Sequence, residues 1–142
     1  MSRIPVIALI LTGLSALPAM AERLTVTCST STPWQGSGAA LCGSMGSTAF
    51  RSDGPEVRHF VSLTAPATHC SDVTYMLFRP GNPNAIAFSN RMGPGASQAV
   101  EIGGGWPAGA NTLQVGAIGH VGGCNQGAIQ SWAVDSHVAP VP

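Results

Sequence analysis

The sequence predicts an all-β fold: a single-domain antiparallel β-sandwich of about seven or eight short strands, stabilised by two disulfides. Three observations carry that expectation. Glycine and proline, 18 and 11 of 142 residues, punctuate the chain at short intervals. Between them lie short segments rich in Val, Ile, Leu, Thr and aromatics, with no capped helical period lasting ten residues beyond the first segment. Four cysteines, Cys28, Cys42, Cys70 and Cys124, all fall after that segment.

The first 21 residues read as a secretory signal peptide rather than as part of the fold. Met1-Ser2-Arg3 is a positive n-region, Ile4 to Leu17 is almost wholly apolar, and Ala19-Met20-Ala21 offers a small-residue cleavage site. The run is shorter than the roughly 20 apolar residues a membrane span needs, and it carries Pro5, Gly13 and Pro18. The expected product is a single domain over 22–142, secreted or periplasmic, with no membrane insertion after cleavage. Cys28 follows Val26-Thr27 and not a lipobox, which argues against a lipid anchor.

The strands follow in order. Arg23–Cys28 alternates, with Leu24, Val26 and Cys28 on one face. Residues 29–48 are rich in Ser, Gly and Thr and are expected to be the least structured stretch of the domain. Val57, His59, Val61 and Leu63 share a face of the next strand. In Asp72–Arg79, Val73, Tyr75 and Leu77 make one apolar face and Met76 and Phe78 the other, as in a central strand covered on both sides. A turn cluster, Pro80-Gly81-Asn82-Pro83-Asn84, precedes two shorter strands over Ala85–Ser89 and Gln98–Ile102. Thr112–Val121 and Ala128–Val138 close the chain, read as a hairpin around the loop 122–127.

Cysteine spacing points to disulfides and away from metal. Zinc sites built on four thiolates place them in close pairs, whereas these residues are separated by 13, 27 and 53 others. Local pairing gives Cys28–Cys42 and Cys70–Cys124. On the chain-entropy argument these stabilise by roughly 3 and 4 kcal/mol.

Composition excludes several functions. Only 8% of residues are charged, six Arg balance six Asp plus Glu, and lysine is absent. No nucleic-acid footprint, disordered acidic tail, Schiff-base chemistry or lysine-bearing phosphate loop is available. The four histidines form no ligand pair: in the expected hairpin, His120 and His137 stand roughly 25 Å apart at about 3.3 Å per residue. His69 falls in a turn and His59 on an apolar strand face. Met45, Met76 and Met92 are soft ligands suited to Cu(I), but they form no Met-x-x-Met or His-x-Met cluster. No metal or other cofactor is expected.

Catalysis finds little support. Gly95-Ala96-Ser97-Gln98-Ala99 falls one residue short of a nucleophile elbow and lacks the large α/β sheet that motif requires. Asp135 and His137, two residues apart on one strand face, read more simply as a surface ion pair. Asp53, Glu56, Asp72, Glu101 and Asp135 are too scattered to define a carboxylate pair.

Loop tryptophans remain. Trp34 in Thr32-Pro33-Trp34-Gln35-Gly36 and Trp106 in Gly105-Trp106-Pro107 are candidate ligand platforms, with Asn125 as a partner for hydroxyls and Asn111 and Gln126 in support. The competing role is that of plugs closing the ends of a sandwich poor in aromatics, which the large area of an indole favours. Trp132, on strand spacing with Val134, is expected in the core. The expected function is an exported, non-catalytic binding module for an unknown protein or glycan partner. Its alternatives are a structural subunit of an exported assembly and a carbohydrate-binding module using the loop tryptophans.

Overall fold

A computed structural model describes residues 20–36 and 38–142. The predicted signal segment lies outside the described residues except for Met20 and Ala21. Ten strands run in chain order: β1 (Glu22–Thr27), β2 (Ser31–Pro33), β3 (Ala39–Cys42), β4 (Gly46–Ser52), β5 (His59–Thr64), β6 (Val73–Phe78), β7 (Ala87–Phe88), β8 (Ser97–Gly103), β9 (Gly109–His120) and β10 (Ser131–Pro140). No helix occurs among the described residues.

Two antiparallel sheets stack face to face. The smaller has the order β1-β10-β5-β8. The larger has the order β2-β3-β9-β6-β7, with β4 also pairing β9. The long strand β9 serves two partners on one side, β4 along Gly109–Val115 and β3 along Ile118–His120. Alternation explains the core: Val61, Leu63, Tyr75, Leu77, Leu113, Val115, Trp132 and Val134 all point between the sheets and are buried. A buried polar bridge joins the two sheets, between the hydroxyls of Thr48 on β4 and Ser136 on β10. The disulfides are Cys28–Cys42 and Cys70–Cys124, and they indicate an oxidising, extracellular-type compartment.

Three expectations need correction. Residues 29–48 hold two whole strands and the start of a third. Serine and glycine hide the alternation there, since neither contributes a large side chain to either face. The last two strands do not form a hairpin: β9 lies in the larger sheet and β10 in the smaller. The loop between them therefore bridges the sandwich, because Trp132, Val134 and Val138 bury one face of β10 against the opposite sheet. Asp135 does not pair with His137; it accepts hydrogen bonds from the Arg23 guanidinium, which the β1–β10 register places directly opposite. That exposed contact holds the Asp135 carboxyl below its ordinary range.

The double-sided character of Asp72–Arg79 is realised in β6. Its inner face joins the main core, while Met76 and Phe78 form a second small cluster with Ile118 on the outside of the larger sheet. Trp34, Leu41 and Ala85 lean on that cluster.

Candidate functional site

The bridge between the sheets creates an open end. β5 pairs with β10 only along Asp135–Pro140, so the first half of β10 has no strand on that side. The turn after β5 runs there instead, and two side chains replace the missing ladder. His69 Nε2 accepts a hydrogen bond from the Ala133 N–H at 3.1 Å, and the Tyr75 hydroxyl donates to the Ala133 carbonyl at 2.7 Å. Both backbone groups are thus satisfied without a neighbouring strand.

The loop after β9 folds down against the same turn. Cys124 is bonded to Cys70, and Gly123, at φ 53°, lies so close that a Cβ there would meet the Cys70 carbonyl oxygen at 1.7 Å. Glycine is therefore required by both conformation and space. Asn125 follows and is buried; its backbone exchanges hydrogen bonds with Gly122, and its Oδ1 accepts from the Gly127 N–H at 3.0 Å. Gly119 leaves the room that its amide uses, since a Cβ on Gly119 would meet Asn125 Nδ2 at 2.9 Å.

Between turn and loop lies a cleft of about 540 Å³, within the range typical of small-molecule sites. His69, Ser71, Asn125, Gln126, Gln130 and Trp132 line it, with Thr25, Thr68 and Ser131 adding hydroxyls. No Asp, Glu or Arg is among its lining residues. Two nitrogens behind its wall, Trp132 Nε1 and His69 Nδ1, are shielded from solvent and have no hydrogen-bond partner among the described residues. Burial, assisted by the Arg23 charge, lowers the His69 pKa below its ordinary value, so the ring is neutral at pH 7. Because its Nε2 accepts from Ala133, the neutral ring carries its hydrogen on Nδ1. Both nitrogens lie beneath the cleft surface, and neither is exposed in it.

A second cleft, about 420 Å³, lies on the outer face of the larger sheet. It is apolar, lined by Trp34, Met45, Met76, Phe78, Ala85 and Phe88. Met45 and Met76 both approach the space above Gly116, where β9 presents no side chain. Sequence spacing gives no hint of that convergence.

The three ligand-binding candidates fall in three places. Asn125 lines the polar cleft and half-buried Trp34 the apolar one. Trp106 is only 2% exposed, edge-on to Phe50 at 5.0 Å and capped by the Arg79 guanidinium 3.8 Å from its ring centre. It fills the far end of the sandwich and has no open face for a ligand. Asn111, in turn, ties its own loop by donating to the Pro107 and Gly109 carbonyls. His69, Gln130 and Trp132 were not singled out by sequence as site residues. A signal existed: a Cys70–Cys124 bond necessarily brings His69 beside Asn125.

Other chemistry-bearing residues stay apart. Ser97 begins β8, where its hydroxyl bonds that of Thr64. His120 Nε2 is 2.8 Å from the Thr74 hydroxyl on β6, and buried His59 packs against Phe50. Among the described residues no three His, Cys, Asp or Glu side chains group as metal ligands.

No protein-family model and no curated protein sequence matches the chain. Two solved structures, of the infectious bursal disease virus Gt and Gx strains, each contain a chain with some likeness, both at 13% identity. The TM-scores are 0.33 and 0.30, over 95% and 97% of this chain but only 37% and 36% of the viral chains. This chain spans little more than a third of theirs, and so low a score carries no argument about function.

Proposed function

We propose that the protein is an exported, non-catalytic binding module whose ligand seat is the polar cleft at the open end of the sandwich. The observation that carries this reading is a cleft of ligand size, about 540 Å³, whose polar lining includes Ser71, Asn125, Gln126 and Gln130 and no Asp, Glu or Arg. The reading includes export by a signal peptide cleaved before Glu22, and the two disulfides support it. A thermal-shift screen of small polar compounds tests it. A ligand at a hundred times its Kd adds about 2.7 kcal/mol of stability, and Gln126→Ala with Gln130→Ala should abolish the shift. Hits that survive this double variant, or a screen without hits, count against the cleft.

A second reading, a structural subunit of an exported assembly, has one observation in its favour. Phe88 and Met45, each 49% exposed, border the apolar cleft on the outer sheet face. Light scattering separates the two, because a binding module is monomeric at micromolar concentration and an assembly subunit is not.

A further inference from the structure

The outer face of the larger sheet carries a different chemistry from the polar cleft. All four cysteines are tied in disulfides, so methionine is the sulfur that an oxidant can still reach. Met45, Met76 and Met92 lie within the domain, and burial separates them. Met76 is 4% exposed and Met92 3%, whereas Met45 is 49% exposed. Met45 owes that exposure to a fixed position and not to a loose end. It stands in the short link between β3 and β4. That link is anchored at Cys42 by its disulfide, at Gly43 by an N–H donated to the Thr30 carbonyl at 2.9 Å, and at Ser44 by hydrogen bonds with Ser29. The side chain then reaches over the sheet: a Cβ on Gly116 would meet Met76 Cε at 3.1 Å and Met45 Cγ at 3.9 Å. Two methionines thus share one floor. The fold covers the first and leaves the second at the rim of the apolar cleft.

We propose that Met45 is an oxidation site for peroxides, and that its sulfoxide turns the apolar cleft polar. The thioether sulfur attacks a peroxide oxygen, and an S–O bond forms as the O–O bond breaks. Sulfur is oxidised by two electrons and the peroxide reduced by two; the proton on the transferred oxygen passes to the displaced hydroxide, which leaves as water. A flexible apolar side chain becomes a polar acceptor. No charged or hydroxyl side chain lines the cleft to receive that oxygen. The sulfoxide therefore turns outward to water, and the cleft loses an apolar wall.

The test treats folded, disulfide-intact protein with hydrogen peroxide and follows each methionine by peptide mapping and mass spectrometry. Binding of the uncharged dye N-phenyl-1-naphthylamine reports on the cleft. Met45 is expected to take up one oxygen about tenfold or more faster than Met76 and Met92, and unfolding in urea should bring the three rates together. Met20, exposed but ahead of the expected cleavage, is scored on its own peptide. Dye affinity should fall by about tenfold as Met45 converts. Met45→Gln should show the same loss without peroxide, and Met45→Leu, with no sulfur to oxidise, should lose no affinity on treatment. Comparable rates for the three methionines in the folded protein overturn the oxidation site. A folded protein that does not bind the dye, or an affinity that survives full conversion of Met45, overturns the change in the cleft. So does a peroxide-induced loss that persists in Met45→Leu.

Discussion

The two ends of the sandwich carry the same chemical equipment and use it differently. At one end His59 and Trp106 are buried, each with a ring nitrogen that finds no partner among the described residues. At the other, His69 and Trp132 are in the same condition. The ends are far apart: Pro140 pairs with His59, and Trp132 lies eight residues upstream on β10, roughly 26 Å away at about 3.3 Å per residue. The first end is closed. Phe50 packs on both rings, and Arg79 lies over the Trp106 indole while donating to the Gly104 and Gly105 carbonyls. The second end is open because β5 stops pairing with β10 at Asp135 and a disulfide-bonded turn and loop take its place. All four ring nitrogens are equally shielded from solvent; what sets the second end apart is the cleft beside its rings.

The closed end should therefore behave as structure. Trp106→Ala is expected to cost about 3–5 kcal/mol, as for large-to-small changes in a packed core. Urea denaturation measures this, and a loss under 1 kcal/mol would mean that the plug contributes little. At the open end the strongest element is the covalent one. Replacing Cys70 and Cys124 together by Ser should cost about 4 kcal/mol, against about 3 for the Cys28–Cys42 pair, because the closed loop is longer. Equal losses would show that strain or residual unfolded structure outweighs loop length. A smaller effect tests the lid on Trp106. Arg79→Ala removes a cation–π contact and two hydrogen bonds to backbone carbonyls, for a loss of about 1–2 kcal/mol. It should leave the open cleft's ligand response unchanged.

Much of this contrast was legible in the sequence, and the illegible part has a physical cause. Leu24, Val61 and Leu63 announce inward faces through alternation with more polar neighbours, and Val73, Tyr75 and Leu77 through the doubly apolar pattern of a strand covered on both sides. Both disulfides follow from spacing. Strands β2 and β3 do not show, because Ser31-Thr32-Pro33 and Ala39-Ala40 carry no bulky alternation and are ordered by pairing and by the Cys28–Cys42 bond. The false hairpin had the same root: a glycine-rich loop of six residues fits both a turn within a sheet and a crossing between sheets, and only the burial of Trp132 and Val134 decides. The 122–127 loop meets the His69 turn under either topology, because Cys124 is bonded to Cys70. Trp106 was the harder case, because Gly105-Trp106-Pro107 reads as a turn whether the indole points outward or inward.

The smallest expected effect is the dependence of stability on pH, and its sign follows from burial. In the native state burial is the main cause lowering the pKa of both His69 and His120, with Arg23 acting on the first and Arg91 on the second. The unfolded chain releases each imidazole to its ordinary value near 6.5. Between the depressed native value and 6.5 the unfolded state therefore binds more protons, so stability rises with pH across that interval and falls as the solution is acidified through it. Protonation also acts on a specific contact at the open end, because a protonated His69 Nε2 can no longer accept from the Ala133 N–H and leaves β10 short of a partner. Asp135 contributes in a separate window: its carboxyl is held low by Arg23, so that stabilisation is present above its ordinary value of 3.8 and disappears below it. Melting temperatures from pH 8 to pH 3 should thus fall in two steps, a first as the pH drops below about 6.5 and a second below about pH 4. His69→Gln keeps an acceptor for Ala133 and should shrink the first step while leaving the second intact. A first step of unchanged size in that variant would assign it to His120, and would remove the neutral His69 ring from the account of the cleft.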